Sequence, residues 1–207
     1  MLTLYITRHG ETEWNIEKRL QGWNDSPLTK KGREDALRLG KRMEKIDLTA
    51  IYTSTSGRAL ETAKLIRGER LIPMYEDERW REIHLGDWEG KTHEEIQQFD
   101  AVRFHHFWNE PHVYQPARGE EFSDVQQRAF AALESIIERH ASGDILIVTH
   151  AVVLKALTTL LKNAPLERLW DPPYIYGTSV TTIQVENGAM ILLSEGDASH
   201  IEEVKHV

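Results

Sequence analysis

A largely parallel α/β sheet with helices on both faces is the fold that this 207-residue sequence predicts. Three observations carry it. Short apolar runs alternate with helix-period segments along most of the chain, the pattern of strands joined by crossover helices. Two of those runs end in a histidine, His9 and His150, where open α/β sheets gather polar groups at the carboxyl ends of strands. Asn187-Gly188 between the last two runs is a two-residue hairpin signal.

The elements follow in order. Strands are predicted at Leu2–Thr7, Ala50–Thr53, Leu71–Met74, Asp144–Thr149, Ser179–Glu186 and Ala189–Leu193. Thr29 caps a helix running to about Glu44, and a second helix spans Ser56 to about Arg67. Ser123 with Gln126 forms a capping-box start for a long helix to about His140. A further helix, from Val152 to about Leu161, opens directly after a strand. From about 84 to 122 the alternation breaks. That stretch is rich in aromatics, histidines and prolines, and reads as a helical cap over the sheet within a single domain spanning 1–207.

Composition narrows the function. Hydrophobic residues make up 40% and charged residues 28%, as in a folded globular protein. No apolar segment approaches the roughly 18 residues needed to span a bilayer, and the N-terminus lacks the pattern of an export signal, so a cytoplasmic protein without a membrane partner is expected. A formal charge of −8 argues against a nucleic-acid partner but leaves an anionic substrate open, because a few clustered arginines outweigh a distant acidic surface. With no cysteine, disulfides and thiolate metal sites are excluded. His93, His105, His106 and His112 lack metal-ligand spacing, and Walker-type and dinucleotide glycine patterns are missing, so neither metal nor cofactor is expected.

The most telling string is Arg8-His9-Gly10-Glu11-Thr12, at the end of the first apolar run. A guanidinium fork matches phosphate oxygens, a neutral imidazole is a competent nucleophile, and Gly10 allows a sharp turn. Downstream come Asn15, Gln21-Gly22-Trp23, Ser26-Pro27-Leu28-Thr29, then Arg58, Glu82 and His150. In order and spacing these segments resemble the histidine phosphatase superfamily, the phosphoglycerate-mutase-like proteins, across essentially the whole chain. The runs Gln21–Thr29, Tyr52–Ala63, Glu82–Lys91 and Pro172–Val180 look most like the PhoE-type broad-specificity phosphatases.

That resemblance implies a three-layer α/β/α sandwich around a six-stranded, mostly parallel sheet with one antiparallel member. It implies phosphomonoester hydrolysis through a phosphohistidine on His9, without metal. Arg8, Arg58 and His150 would hold the phosphoryl oxygens, assisted by Asn15 and by backbone amides at Gln21, Gly22 and Ala151. Glu82 would be the acid and then the base. The substrates would be small phosphate monoesters, and the protein a monomer or small homo-oligomer.

Alanine stands at 151 where the family commonly has glycine; an αR helix start accommodates it, whereas a positive φ would not. Gly57 and Ala59 flank Arg58 without a second arginine, so mutase activity is not expected, although a weak phosphoglycerate mutase and a specialised alpha-ribazole or sugar phosphatase are the rivals within the class. A silent phospho-ligand binding module is the rival outside it. Most of Phe99, Phe104, Phe107, Trp108 and Tyr114 should pack the cap; one or two, with Trp14 or Trp23, would form an apolar wall favouring bulky or aryl esters. Most of Glu76, Asp77, Glu78, Asp87 and Glu89 read as solvated loop charges.

Overall fold

The first apolar run becomes β1 (Leu2–Arg8), at the heart of a six-stranded sheet in the computed structural model, which describes residues 1–201. In chain order follow α1 (Glu13–Ile16), α2 (Lys30–Met43), β2 (Leu48–Thr53), α3 (Gly57–Arg67), β3 (Met74–Glu76), α4 (His93–Phe99), α5 (Ala101–Asn109), α6 (Phe122–Arg139), β4 (Gly143–Thr149), α7 (Ala151–Leu161), β5 (Val180–Glu186) and β6 (Ala189–Asp197). The strand order is β3-β2-β4-β1-β5-β6. β3, β2, β4 and β1 pair in parallel; β5 lies antiparallel to both β1 and β6, so it alone runs against the rest.

Period-2 alternation splits the central strands between two cores, which makes the molecule three-layered. Ile145 and Ile147 of β4 join Leu4 and Ile6 of β1 beneath α6 and α7, through Val125, Leu133, Val153 and Leu157. Leu146 and Val148 point the other way, into Ala36, Leu39, Ala63 and Ile66 of α2 and α3. The 84–122 stretch is helical as expected; Ile96, Phe107 and Tyr114 fasten it to the first of these cores.

Three boundaries differ from expectation. The run Leu71–Met74 is not a strand: Leu71 is fully exposed, Pro73 has no N–H for a ladder, and β3 starts only at Met74. β6 runs on to Asp197. The capping box of α6 is not Ser123 with Gln126 but Glu121 with Asp124, whose Oδ2 accepts the Glu121 N–H at 2.9 Å. Burying Phe122 draws the helix start back by two residues, which leaves Ser123 inside the first turn.

The β1–β4 register sets up the site. Arg8 pairs with Thr149, and the His9 N–H donates to the Thr149 carbonyl at 2.9 Å. The two histidines therefore leave neighbouring strand ends side by side.

Candidate active site

His9 and His150 meet edge to face, with ring centroids 5.1 Å apart. Both are buried at the carboxyl ends of β1 and β4. The ring of His9 is set by its neighbour: Nδ1 lies 2.8 Å from the Gly10 carbonyl, which can only accept, so Nδ1 carries the proton and Nε2 the lone pair. Gly10 is held in turn by Thr62, whose Oγ1 accepts the Gly10 N–H at 3.0 Å. A side chain on Gly10 would collide with the Gly32 backbone.

Arg58, on the first turn of α3 and 1% exposed, ties the two rings together. Its Nε donates to His9 Nε2 and its Nη2 to His150 Nδ1, both at 3.2 Å. The same guanidinium donates to the carbonyls of Gly22 (2.9 Å) and Asn24 (2.7 Å), and pairs with Asp25 at 2.9 Å. His150 Nδ1 therefore accepts, and Nε2 donates to Ser54 Oγ at 2.8 Å, with Ser56 Oγ at 3.2 Å. Burial, reinforced by Arg58, holds both imidazoles well below their ordinary range. Both rings are thus neutral at physiological pH.

Arg8 anchors its Nη1 on the Ile175 carbonyl at 2.8 Å, and its buried Nε has no protein partner. Gln21, at 7% exposure, donates from Nε2 to Thr12 Oγ1 at 2.7 Å and leaves a buried Oε1 unpaired. A buried polar atom without a partner is costly unless something else supplies one. The Asn15 side chain is not free in this arrangement: its Oδ1 accepts from the Thr12 N–H and hydroxyl and closes the capping box of α1.

Glu82 approaches from the segment after β3. Its Oε1 accepts the Ile83 N–H at 3.0 Å, and its Oε2 accepts the Val152 N–H at the start of α7 at 3.2 Å. Burial raises its pKa and outweighs the opposing pull of those two amides and of Arg58 and Arg8. Ala151 is the first residue of α7 and takes no positive φ, so alanine fits at that position without strain.

The aromatic next to Glu82 is Trp23, whose Nε1 donates to the Glu82 carbonyl at 2.9 Å. His84 stacks on Trp23 at 4.6 Å, and the Arg81 guanidinium lies 4.2 Å from its ring centroid. The cap aromatics turn elsewhere. Phe107 and Tyr114 pack on Trp88 and Phe122, Trp108 lies against Trp170, and Phe99 is exposed. Glu89 is not a solvated loop charge: its carboxylate accepts the N–H groups of Trp23 (2.8 Å), Asn24 (3.2 Å) and Leu85 (3.1 Å). Sequence reasoning also passed over Ser54, Ser56, Asp25 and Thr62, whose only signal is closeness in sequence to Arg58 or Trp23. Among the described residues, no cluster of three or more His, Asp or Glu side chains is placed to hold a metal.

Comparison with known proteins agrees with this geometry. The Histidine phosphatase superfamily (branch 1) matches residues 4–198. The chain is 32% identical over 165 residues to the probable phosphoglycerate mutase GpmB of Salmonella arizonae, covering 80% of this chain and 77% of that one. Among solved structures it is similar to Bacillus stearothermophilus YhfR, with 65% identity over 98% of this chain and 100% of that one, and a TM-score of 0.96. It is also similar to the alpha-ribazole phosphatase from Shigella flexneri, with 28% identity over 99% of this chain and 100% of that one, and a TM-score of 0.85.

Proposed function

The chain belongs to the histidine phosphatase superfamily, branch 1, as an enzyme with phosphatase activity, and on that premise we propose that it hydrolyses phosphomonoesters through a phosphohistidine on His9. The observation that carries this reading is the fixed tautomer of His9. With its proton held on Nδ1 by Gly10, Nε2 keeps its lone pair and faces the Arg58 guanidinium. Phosphoryl transfer needs positioned positive charge around the equatorial oxygens, and Arg58 and the unpaired Nε of Arg8 supply it from the protein.

In the first step the Nε2–P bond forms and the P–O bond to the alcohol breaks. The Glu82 carboxyl, whose pKa burial raises, gives its proton to the departing oxygen. In the second step the Glu82 carboxylate takes a proton from water, which attacks phosphorus and releases inorganic phosphate from Nε2. In this reading Gln21, Gly22, Asn15 and Ala151 would border the phosphoryl group; the Gly22 carbonyl accepts from Arg58, and Asn15 and Gln21 both bond to Thr12.

The leaving group would rest near Trp23, Arg81 and His84, a surface suited to flat, bulky or aryl esters. A panel of alkyl, aryl and sugar monoesters, run with a chelator present and with and without 2,3-bisphosphoglycerate, tests the proposal. Chelator-insensitive hydrolysis with the highest kcat/KM for aryl esters is the expected result. A narrow preference for alpha-ribazole or sugar phosphates, or bisphosphoglycerate-dependent isomerisation, would replace broad specificity. Binding of p-nitrophenyl phosphate without turnover would make the protein a silent phospho-ligand module.

A further inference from the structure

Glu82 sits in an irregular stretch between β3 and α4, where no strand ladder fixes the backbone beneath a group that must meet a departing oxygen. The support comes from α6. Arg128 donates from Nη1 to the carbonyls of Arg79 (2.8 Å) and Arg81 (2.6 Å), and from Nη2 to the carbonyl of Glu82 (3.0 Å). Its Nε and Nη2 form a two-point pair with Glu120 at 2.7 and 2.9 Å. Glu120 then accepts the His84 N–H at 2.8 Å, while its own N–H donates to the His84 carbonyl at 2.9 Å. The backbone at 79, 81, 82 and 84 is thereby clamped by one ion pair whose side chains are each 18% exposed.

This arrangement uses what is particular to arginine. A planar fork serves two carbonyls on one edge and a carboxylate on another, which a lysine ammonium cannot do from a single point. No hydrogen bond runs from Arg128 to His9, Arg58 or Arg8; its charge bears on His150 only behind burial, Arg58 and His9.

We propose that Arg128, braced by Glu120, is the positioning residue of Glu82, setting where the acid meets the leaving group without holding the phosphoryl group itself. The proposal rests on Glu82 being the acid. It predicts a selective defect: proton delivery suffers and phosphate binding does not.

The test is single-turnover phosphorylation of Arg128→Lys, which keeps the charge and removes the fork, with an alkyl phosphate and with p-nitrophenyl phosphate. Displacing a catalytic group by about an ångström costs on the order of 10²-fold, and a loss of that size is expected for the alkyl ester. The aryl ester, which leaves without much protonation, should lose far less, and inhibition by inorganic phosphate should be unchanged. Adding Glu82→Gln should produce no further loss for the alkyl ester. Glu120→Gln, which leaves the three carbonyl bonds in place, should show the same pattern at smaller size. Equal losses for the two esters, weaker phosphate inhibition, or multiplicative losses in the double variant would overturn the proposal. Glu82→Gln alone separates the two ideas. Ester-independent loss there removes the acid assignment and this proposal with it, whereas ester-dependent loss there but not in Arg128→Lys removes only the positioning role.

Discussion

Nε of Arg58 stands 3.2 Å from Nε2 of His9, so the lone pair that would attack phosphorus in the proposed mechanism accepts a hydrogen bond from the guanidinium that would grip a phosphoryl oxygen. The same contact holds the ring in line and, behind burial, helps to keep it neutral. A phosphate dianion competes for those donors, and its arrival would release the nucleophile where it is needed.

Replacing His9 with alanine should abolish turnover. It should also abolish the acid-labile phosphoryl adduct that the parent protein is expected to form when quenched during reaction with labelled substrate. Retained turnover in the purified variant would refute the mechanism.

Glu82 must hold a proton to act as the acid, and burial keeps that proton bound to higher pH than for an ordinary glutamate. The kcat/KM for alkyl esters should therefore decline as pH rises through the raised Glu82 pKa. On the acid side it should decline only once pH falls through the lowered His9 pKa. Glu82→Gln should remove the upper limb and lower alkyl turnover by about 10²- to 10⁴-fold, with a smaller effect on aryl esters. Full pH profiles with both ester types check this.

The buried histidines also make stability depend on pH. His9 and His150 bind protons in the unfolded chain below about 6.5 but resist them when folded. Stability should thus fall as pH drops from 6.5 toward their lowered values, by about 1.4 kcal/mol per pH unit for each histidine. Glu82 acts with the opposite sign: from 4.5 up to its raised pKa the folded state keeps a proton that the unfolded state loses, so its contribution declines as pH rises. Denaturant midpoints measured across this range should show the slope. His150→Asn should remove about half of it, and saturating phosphate should flatten it by favouring protonated His150.

Thr62 offers a test on a residue that touches no substrate in the proposed mechanism. Its Oγ1 accepts the Gly10 N–H at 3.0 Å and donates to the Arg58 carbonyl at 2.7 Å. Thr62→Val keeps the shape but strands a buried amide beside His9, at a cost of about 1–3 kcal/mol. Urea denaturation should show that loss, together with reduced kcat.

Much of this architecture could be read directly from residue order. The runs ending at His9 and His150 declared two parallel strands, and the string from Arg8 to Thr12 declared phosphate chemistry, because both depend on local spacing. What stayed hidden depends on distance through space. Nothing near Ser54 says that its hydroxyl will meet His150, 96 positions away. Glu89 is indistinguishable in sequence from its acidic neighbours until the fold closes it over the Trp23 and Asn24 amides. The expected Ser123 cap failed because burial of Phe122 outweighed a local capping preference, and the strand at 71–74 shrank to a start at Met74 because Leu71 is exposed and Pro73 has no N–H to donate.

The pairing of β1 with β4 has a consequence for how the enzyme comes into being. Its first strand has no parallel neighbour to receive it until Gly143–Thr149 has been translated, so a ribosome-bound chain shorter than that carries His9 but cannot bring it beside His150. Catalytic competence would therefore arrive late and abruptly during synthesis, after a long-range loop closure, and fragments from early termination should be chemically inert.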